Sequence, residues 1–290
     1  MHRGSIAVED AVVISQTAYP ADQFVLRVAA PEIAARAQPG SFAHITCDPA
    51  VPMRRPLSIM RADPEAGWIE FLYKFVGEGL RHLASRRAGD TLSVIGPIGL
   101  PFQLHPERPR PLLIGGGVGI PPMVFVADRM RADPRADWRP LVLMGSEVPF
   151  PFTPRPSQIL VPGAPDGVIA CMPLLEDWGI PTRLASWQDV AGCFHGYITD
   201  LARAWLRSLD AEALAEVEIL ACGPTPMLAA TAAVAREFDL PCQVSLEEYM
   251  ACAVGGCAGC AVEVMTPDGP AMKRVCVDGP VFDARAVFSG

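Results

Sequence analysis

The sequence predicts a multidomain β + α/β protein with an N-terminal antiparallel barrel, a parallel-sheet domain and a small C-terminal domain. Three changes in the residue pattern along the chain support this prediction. Short apolar runs separated by turn residues come first, apolar runs alternating with helical stretches follow, and a Cys- and Gly-rich stretch comes last. The predicted domains cover residues 1–106, 107–240 and 241–290.

The first region reads as a series of short strands. The strands run from residue 6 to about residue 104, and examples are predicted at residues 24–28, 42–46, 68–75 and 91–95. Evenly spaced short strands with turn signals between them are typical of an antiparallel barrel. A polar, Pro-rich stretch at 105–111 is expected to link this barrel to the next domain.

The second region alternates between buried strands and helices. Strands are predicted at 112–114, 141–144 and 217–221, and helices at 121–130, 200–209 and 227–238. This alternation indicates a parallel sheet flanked by helices. The third region is too small to be stable without a metal that holds it together.

Charge and hydropathy argue against several classes of function. The chain has 290 residues, 50% of them hydrophobic, and a formal net charge of −8 with scattered Lys and Arg. This argues against binding to nucleic acid or to an anionic membrane surface. The apolar stretch at 111–127 is broken by Gly and Pro and is too short to span a bilayer. The first residues lack the apolar core of a signal peptide, so we expect the protein in the cytoplasm.

Four of the nine cysteines lie close together: Cys252, Cys257, Cys260 and Cys276. Their spacing is C-x4-C-x2-C-x15-C, and the first three follow the plant-type ferredoxin pattern. Intervening glycines let the backbone curl and point N–H groups at sulfur. We therefore predict a 2Fe–2S cluster on these four residues. A structural zinc site is the alternative, although zinc sites favour other spacings.

A glycine-rich loop follows the strand predicted at 112–114 and opens a predicted helix. Its glycines are Gly115, Gly116, Gly117 and Gly119. Glycines allow the backbone to approach a pyrophosphate closely, and the helix start supplies partial positive charge. The loop therefore predicts a dinucleotide-binding site.

A second turn is expected at the same edge of the parallel sheet. It consists of Cys222, Gly223 and Pro224, directly after the strand predicted at 217–221. Ligands of open parallel sheets bind at the carboxyl ends of the strands. Cys222 is therefore either part of a nicotinamide pocket or a small core residue.

The barrel region contains a candidate anion-binding motif, Arg55-Pro56-Leu57-Ser58. An Arg suits a diphosphate because its guanidinium makes paired, charge-assisted hydrogen bonds. On a regular strand, Arg55 and Ser58 share a face only if a bulge or turn intervenes. Taken alone, such a motif is most often a surface turn.

In this order, the motifs resemble the ferredoxin–NADP reductase superfamily and, within it, the iron–sulfur electron-transfer subunits of type B dihydroorotate dehydrogenase. The resemblance covers nearly the whole chain. It implies that FAD binds to the Arg55–Ser58 motif, with Arg55 at the diphosphate and Ser58 near the flavin ring. It implies a second FAD contact at Gly77, Gly79 and Leu80, where a helix begins.

The resemblance also assigns the other motifs. The loop from Gly115 to Pro122 and the turn at Cys222 are implied to bind the nicotinamide nucleotide. The four cysteines, followed by Asp-Gly-Pro-Val-Phe at 278–282, are the most distinctive match to this subfamily.

Two features depart from the family pattern. Leu80 stands where the family has Thr, so a hydroxyl contact to an FAD phosphate is lost while main-chain contacts could remain. The stretch 148–165 holds many prolines, and its Phe150 and Phe152 are expected either to contact a partner or to cover the sheet. Glu147, just before it, is a candidate to bind a ribose hydroxyl and favour NADH.

The resemblance implies an NAD-dependent flavin and iron–sulfur oxidoreductase subunit. It would pass electrons between NAD(H), FAD and a 2Fe–2S cluster, to or from an FMN-bearing catalytic dihydroorotate dehydrogenase subunit in pyrimidine biosynthesis. No residue of this chain is expected to act as a catalytic acid or base. The alternatives are a related subunit of a hydrogenase, sulfite or sulfide system, and a non-redox interaction protein held together by zinc.

Overall fold

The computed structural model describes residues 6–134 and 137–288. Within these ranges the chain forms two compact units. The first unit comprises the chain up to Phe102 together with Leu246–Val281, and the second comprises the rest. The predicted fold class is confirmed, because the structure contains a closed antiparallel barrel, a parallel sheet with helices and a C-terminal cysteine-rich segment.

In the described part of the chain, six antiparallel strands close the barrel. They are β1 (Ala7–Tyr19), β2 (Gln23–Ala29), β3 (Phe42–Ile45), β4 (Arg55–Asp63), β5 (Trp68–Lys74) and β6 (Thr91–Ile98). Their order around the barrel is β1-β2-β5-β4-β3-β6. Alternate side chains point inward, so Leu26, Ile59 and Phe71 are fully buried in the interior. All four strands predicted for this region are confirmed, and the structure adds β1 and β4.

Two helices accompany the barrel, α1 (Pro31–Ala34) and α2 (Gly77–Ala84). The amide of Gln16 on β1 fixes the end of α2, because Nε2 donates to the carbonyl oxygens of Leu83 and Ala84 at 3.0 and 3.1 Å. The hydroxyl of Tyr73 on β5 donates to Oε1 of the same Gln16 at 2.9 Å. These bonds satisfy carbonyls that a helix end leaves without an intrahelical partner, and they hold α2 against the barrel.

The second unit contains a parallel sheet with helices. Its elements are β7 (Leu112–Gly116), a 3-10 turn (Gly117–Gly119), α3 (Ile120–Arg131), β8 (Leu141–Ser146), β9 (Arg155–Pro156), β10 (Ala170–Cys171), α4 (Pro173–Asp177), β11 (Thr182–Ser186), β12 (Phe194–His195), α5 (Ile198–Arg207), α6 (Ala211–Ala215), β13 (Ile219–Cys222), α7 (Thr225–Glu237) and β14 (Cys242–Ser245). The main sheet has the order β12-β11-β8-β7-β13-β14, with parallel pairing. The strands and helices predicted for this region are confirmed, and the structure adds β9, β10, β11, β12, β14, α4 and α6.

Helix α3 shows how the sequence builds this unit. Pro121 and Pro122 lie in its first turn, where an N–H has no intrahelical acceptor and proline is tolerated. The following Met123, Val124 and Phe125 are all buried. A helix that is apolar on most sides is a buried one, and α3 contacts both β7 and β13.

The cysteine-rich segment packs with the barrel. Its elements are β15 (Ala261–Thr266), β16 (Gly269–Arg274) and α8 (Val275–Asp278), with β15 and β16 paired as an antiparallel hairpin. The N–H of Leu100, just after β6, donates to the carbonyl oxygen of Gly279 at 2.6 Å. The chain then adds β17 (Val281–Asp283) to the parallel sheet beyond β14, followed by α9 (Ala284–Val287). Among the helices of the described ranges, none combines the length and hydropathy that a membrane crossing requires.

Candidate functional site

The guanidinium of Arg55 lies against the start of α2 in the barrel unit. A methyl group added at Gly79 would lie 2.9 Å from Nε and Nη2 of Arg55, so the guanidinium rests directly on the first turn of the helix. Among the described residues, no side chain caps this helix start at Val76. Uncapped N–H groups and a guanidinium together fit a diphosphate, which is the group that FAD would present there.

The four residues of the Arg55–Ser58 motif do not share one face. They pair with β3 in an unbroken register in which Ile45 lies opposite Arg55 and Phe42 lies opposite Ser58. The irregularity in β4 comes later, between Ile59 and Arg61. Arg55 and Leu57 therefore point to one side of the strand, and Pro56 and Ser58 to the other.

The cysteine loop directs main-chain N–H groups at sulfur. Gly256 and Cys257 donate to Sγ of Cys252 at 3.2 and 3.4 Å, and Gly259 donates to Sγ of Cys257 at 3.4 Å. The loop can turn this tightly because Ala253 and Ala258 adopt positive φ angles of 57° and 55°. N–H donation of this kind stabilises negative charge on a thiolate, as an iron–sulfur ligand requires.

The rest of the loop is fastened by Arg274, at the end of β16. The side-chain Nη1 of Arg274 donates to the carbonyl oxygen of Gly255 at 2.9 Å, and the main-chain N–H of Arg274 donates to Asp278 Oδ2 at 2.8 Å. The next residue, Val275, donates to the carbonyl oxygen of Cys260 at 3.0 Å. The hairpin β15–β16 thus connects the third predicted ligand to the fourth, Cys276.

The thiols of Cys252 and Cys276 are shifted in opposite directions in their pKa. For Cys252, partial burial acts to raise the pKa, but the N–H groups of Val254, Cys257 and Gly256 and the Cys257 thiol bring it down to about 7. For Cys276, burial and the neighbouring thiol of Cys260 raise the pKa to about 12.

The cysteines do not converge on one point. Across residues 6–134 and 137–288, no three His, Cys, Asp or Glu side chains meet as a ready-made metal-binding group. The fit to an iron–sulfur cluster therefore rests on the donor chemistry, which is four thiols in one segment, and on the N–H groups aimed at two of them.

In the second unit, the two predicted turns are in direct contact. A methyl group at Gly119 would lie 2.3 Å from the carbonyl oxygen of Cys222 and 2.5 Å from the nitrogen of Gly223. The loop after β7 and the turn after β13 therefore pack backbone against backbone, at the carboxyl ends of neighbouring parallel strands. The start of α3 and these close-packed glycines fit a dinucleotide phosphate.

The other residues at this edge differ in exposure. The side chain of Cys222 is 0% exposed, whereas Pro224 is exposed at the start of α7. Glu147 is an exposed carboxylate directly after β8, where its main-chain oxygen accepts a 2.9 Å hydrogen bond from Nε2 of Gln188. The assignment of these residues to a nucleotide stays a prediction.

The Pro-rich stretch packs on its own unit. Phe150 is buried and stacks on Phe152 with ring centroids 5.2 Å apart. Nη2 of Arg183, on β11, donates to the carbonyl oxygen of Ile159 at 2.8 Å. Phe150 was expected either to contact a partner or to cover the sheet. Its burial favours the second role.

Sequence reasoning missed an aromatic cluster at the carboxyl end of β11. Trp187 and Tyr197 are 51% and 60% exposed, and their ring centroids lie 5.2 Å apart in a T-shaped pair. His195 makes a similar contact to Trp187 at 5.1 Å. An aromatic residue just after a strand would have been the signal, but β11 itself was not predicted.

Comparisons with known proteins agree with this architecture. Residues 247–288 match the family model of the iron–sulfur cluster binding domain of dihydroorotate dehydrogenase B. The chain is 31% identical over 252 residues to the dihydroorotate dehydrogenase B (NAD(+)) electron transfer subunit of Caldanaerobacter subterraneus subsp. tengcongensis, covering 86% of this chain and 87% of that protein. Its counterpart in Bacillus caldolyticus is 33% identical over 258 residues, covering 86% of each chain.

A solved structure is similar over almost the whole length. It is that of an NADH-dependent reduced ferredoxin–NADP oxidoreductase, described for flavin-based electron bifurcation. The two chains align with a TM-score of 0.75 at 26% identity, covering 96% of this chain and 90% of that chain.

The barrel, the parallel sheet with its glycine loop and the cysteine segment define an NAD-dependent flavin and iron–sulfur oxidoreductase subunit with the ferredoxin–NADP reductase fold. Within that class, the chain belongs to the family of dihydroorotate dehydrogenase B electron transfer subunits. The family match favours the iron–sulfur interpretation of the cysteines over the zinc alternative.

Proposed function

We propose that this chain is the electron-transfer subunit of an NAD-linked dihydroorotate dehydrogenase, acting in the cytoplasm in pyrimidine biosynthesis. It passes electrons between NAD(H) and an FMN-bearing catalytic subunit, with which it forms a hetero-oligomer. The observation that carries the proposal is the cysteine loop. Its N–H groups donate to sulfur within the segment that matches the iron–sulfur family model.

In this proposal, each of three segments binds one redox group. Residues 1–106 bind FAD, residues 107–240 bind NAD(H), and residues 241–290 hold the 2Fe–2S cluster. Bound FAD supplies the exchange between hydride and single-electron transfer, and a bound 2Fe–2S cluster supplies single-electron transfer. The protein contributes binding, orientation and electrostatics.

For FAD, Arg55 and the N–H groups at Gly77, Gly79 and Leu80 bind the diphosphate. The guanidinium lies on the first turn of α2, so charge and N–H donors act on the same anion. Leu80 has no hydroxyl to donate, so this contact relies on the main-chain N–H groups at the start of α2. Pro56 and Ser58 point to the other side of β4 from Arg55, and we assign Ser58 to the flavin ring.

For NAD(H), Gly115, Gly116, Gly117 and Gly119 form the phosphate loop, together with Cys222, Gly223 and Pro224. The buried Cys222 side chain limits its contribution to the main chain. Glu147 is the candidate for a ribose hydroxyl, because its carboxylate is exposed at the carboxyl end of β8. This carboxylate favours NADH over NADPH, whose additional phosphate it would repel.

For the cluster, Cys252, Cys257, Cys260 and Cys276 are the four ligands. The N–H groups of the loop stabilise thiolate charge at Cys252 and Cys257. Hydrogen bonds to cluster sulfur are one of the means by which a protein sets the reduction potential. Arg274 fixes the loop carbonyl at Gly255 and so keeps those N–H groups in position.

Purification of the natural complex tests the proposal. The full-length chain is isolated anaerobically with its partner, and the partner is identified by mass spectrometry. We expect an FMN-containing subunit and NAD+-dependent oxidation of dihydroorotate. A stable complex with a different partner and no such activity would reject this function.

One observation favours a second candidate function. The similar solved structure is that of a reduced ferredoxin–NADP oxidoreductase, and it covers 96% of this chain. A subunit of that kind would pair with a different flavoprotein and react with reduced ferredoxin. The same purification separates the two candidates, because only the first complex oxidises dihydroorotate.

A further inference from the structure

The side chain of Gln16 holds the carboxyl-terminal end of α2 at three points. Its Nε2 donates to the carbonyl oxygens of Leu83, Ala84 and Arg86 at 3.0, 3.1 and 2.9 Å. A helix end leaves its last carbonyls without an intrahelical donor, so these oxygens depend on donors from elsewhere in the chain. One amide therefore binds two carbonyls of the last helical turn and one just beyond it.

The hydroxyl of Tyr73 fixes the orientation of this amide. It donates to Oε1 of Gln16 at 2.9 Å, and burial raises the pKa of the hydroxyl, so the proton that it donates is retained. An amide group has one acceptor oxygen and two N–H donors. If the amide were turned over, Oε1 would face three carbonyl oxygens and none of them would receive a proton. Only the observed orientation satisfies all four bonds.

Gln16 is anchored in the barrel interior. On the sheet it lies directly opposite Leu26, which in turn lies opposite Phe71. Leu26 and Phe71 are both 0% exposed. Since residues directly opposite each other point to the same face of a sheet, Gln16 points into the barrel as well. The end of α2 is therefore bonded to the closed barrel and not to a loop.

A second attachment joins the end of α2 to the chain that leads into the flavin motif. Nε and Nη2 of Arg86 donate to the carbonyl oxygen of Cys47 at 3.2 and 2.9 Å, and Nη2 donates to Asp48 Oδ2 at 2.6 Å. Cys47 and Asp48 lie between β3 and β4, and β4 begins at Arg55. The end of α2 and the approach to Arg55 are thus fixed relative to each other.

The start of α2 is held far less firmly than its end. In the described chain, no side chain caps the helix at Val76, which is 75% exposed, and no atom lies within 4 Å of a methyl group placed at Gly77. The guanidinium of Arg55 lies against Gly79 one turn later. The helix has eight residues and is therefore only about 12 Å long, so the bonds at its end also determine where its start lies.

We propose that Gln16 is a positioning residue for FAD: by holding the end of α2 against the barrel, it fixes the N–H groups at the start of α2 beside Arg55. A diphosphate then meets donors that are already in place, and little of its binding free energy is spent on ordering them. This inference rests on the proposed function, because it assigns Arg55 and the start of α2 to FAD.

The test compares Q16M with wild type in the full-length chain. Met has a shape similar to that of Gln but offers no N–H to the three carbonyls. Flavin-free chain is titrated with FAD by fluorescence, and the 31P NMR spectrum of the bound FAD reports on its diphosphate. We expect Q16M to bind FAD about tenfold more weakly, equivalent to about 1.4 kcal/mol, and to shift the 31P signals of the diphosphate.

I69V provides the matched control for a general loss of packing. Ile69 is 0% exposed on β5, the strand that carries Tyr73, and this variant removes one buried methyl group. It should lower the melting temperature but leave the FAD affinity and the 31P spectrum unchanged. If Gln16 only stabilised the fold, Q16M would behave in the same way.

Wild-type FAD affinity and an unchanged 31P spectrum in Q16M would overturn the inference. If Q16M does not fold, Q16E takes its place, because at pH 8 its carboxylate keeps the acceptor for Tyr73 and has no N–H for the carbonyls. If neither folds, Y73F decides: weaker FAD binding with shifted 31P signals supports the role of Gln16, and wild-type values contradict it. A wild-type chain that does not bind FAD would instead refute the proposed function.

Discussion

The contact between Gly119 and the turn after β13 gives the sharpest prediction about the nucleotide loop. In G119A, the new methyl group would lie 2.3 Å from the carbonyl oxygen of Cys222 and 2.5 Å from the nitrogen of Gly223. Ordinary contacts between carbon atoms are about 3.5–4.0 Å, so the two loops must separate by roughly 1 Å. Both neighbours are main-chain atoms at the end of a strand and cannot rotate away.

Overpacking of a tight site costs about 1–3 kcal/mol, and contact with main chain places G119A near about 3 kcal/mol. The backbone conformation of Gly119 adds no further cost to G119A, because its φ of −85° suits any residue. For a unit of this size, about 1 kcal/mol lowers the melting temperature by about 2–4 °C, so the expected decrease is about 6–12 °C. A displacement of about 1 Å in the loop should also weaken NADH binding by at least about tenfold.

Gly117 provides the matched control. In the described chain, no atom lies within 4 Å of a methyl group at this position, but its φ is +55°. G117A therefore carries only the backbone cost of a left-handed conformation, about 1 kcal/mol, or about 2–4 °C. Scanning calorimetry and NADH titration by tryptophan fluorescence measure both variants. If G119A melted within about 2 °C of wild type and bound NADH normally, the close-packing argument would be wrong.

Three further predictions concern the other sites. C257S should lose the iron and visible absorption of the cluster while C193S retains both, and a C257S protein with a full iron content would remove Cys257 from the ligand set. R55K should bind FAD about tenfold more weakly because the paired guanidinium hydrogen bonds are lost, and fluorescence-monitored FAD release showing no change would contradict this role. Burial raises the pKa of the Glu218 carboxyl, against the hydrogen bond and charge of His105. The stability that the Glu218 carboxyl contributes is therefore present below its unfolded pKa of about 4.3 and is lost as pH rises through its folded pKa. E218Q should have a lower free energy of unfolding than wild type near pH 4, as measured in urea, and this difference should shrink towards pH 7. A constant difference in unfolding free energy between E218Q and wild type across this pH range would contradict the raised pKa of Glu218.

The fold was largely predictable because the spacing of hydrophobic residues and the positions of turn residues indicate most of the secondary structure. The strand predicted at 68–75 became β5 (Trp68–Lys74), and the helix at 121–130 became α3 (Ile120–Arg131). Strand β1 lies in the region predicted to form short strands but was not individually identified, because Glu9 and Asp10 interrupt its apolar alternation. Strand β11 was missed because its buried Thr182 and Arg183 read as polar in isolation.

The candidate site was predictable only where chemistry leaves a spacing pattern. The four cysteines and the glycine loop have such patterns, whereas the contacts among Trp187, His195 and Tyr197 do not. Gln16, which holds the end of α2, is likewise an ordinary polar residue until the barrel closes around it. Long-range contacts of this kind are set by topology and are not encoded in a local pattern.

We propose that electrons pass through a flavin and a 2Fe–2S cluster held by the C-terminal cysteines. NADH reduction of the anaerobically purified complex tests this electron path directly, with optical absorption and EPR measured on the same sample. We expect NADH to bleach the flavin and iron–sulfur bands and to produce the EPR signal of a reduced 2Fe–2S cluster. A colourless, EPR-silent protein that contains stoichiometric zinc would contradict it.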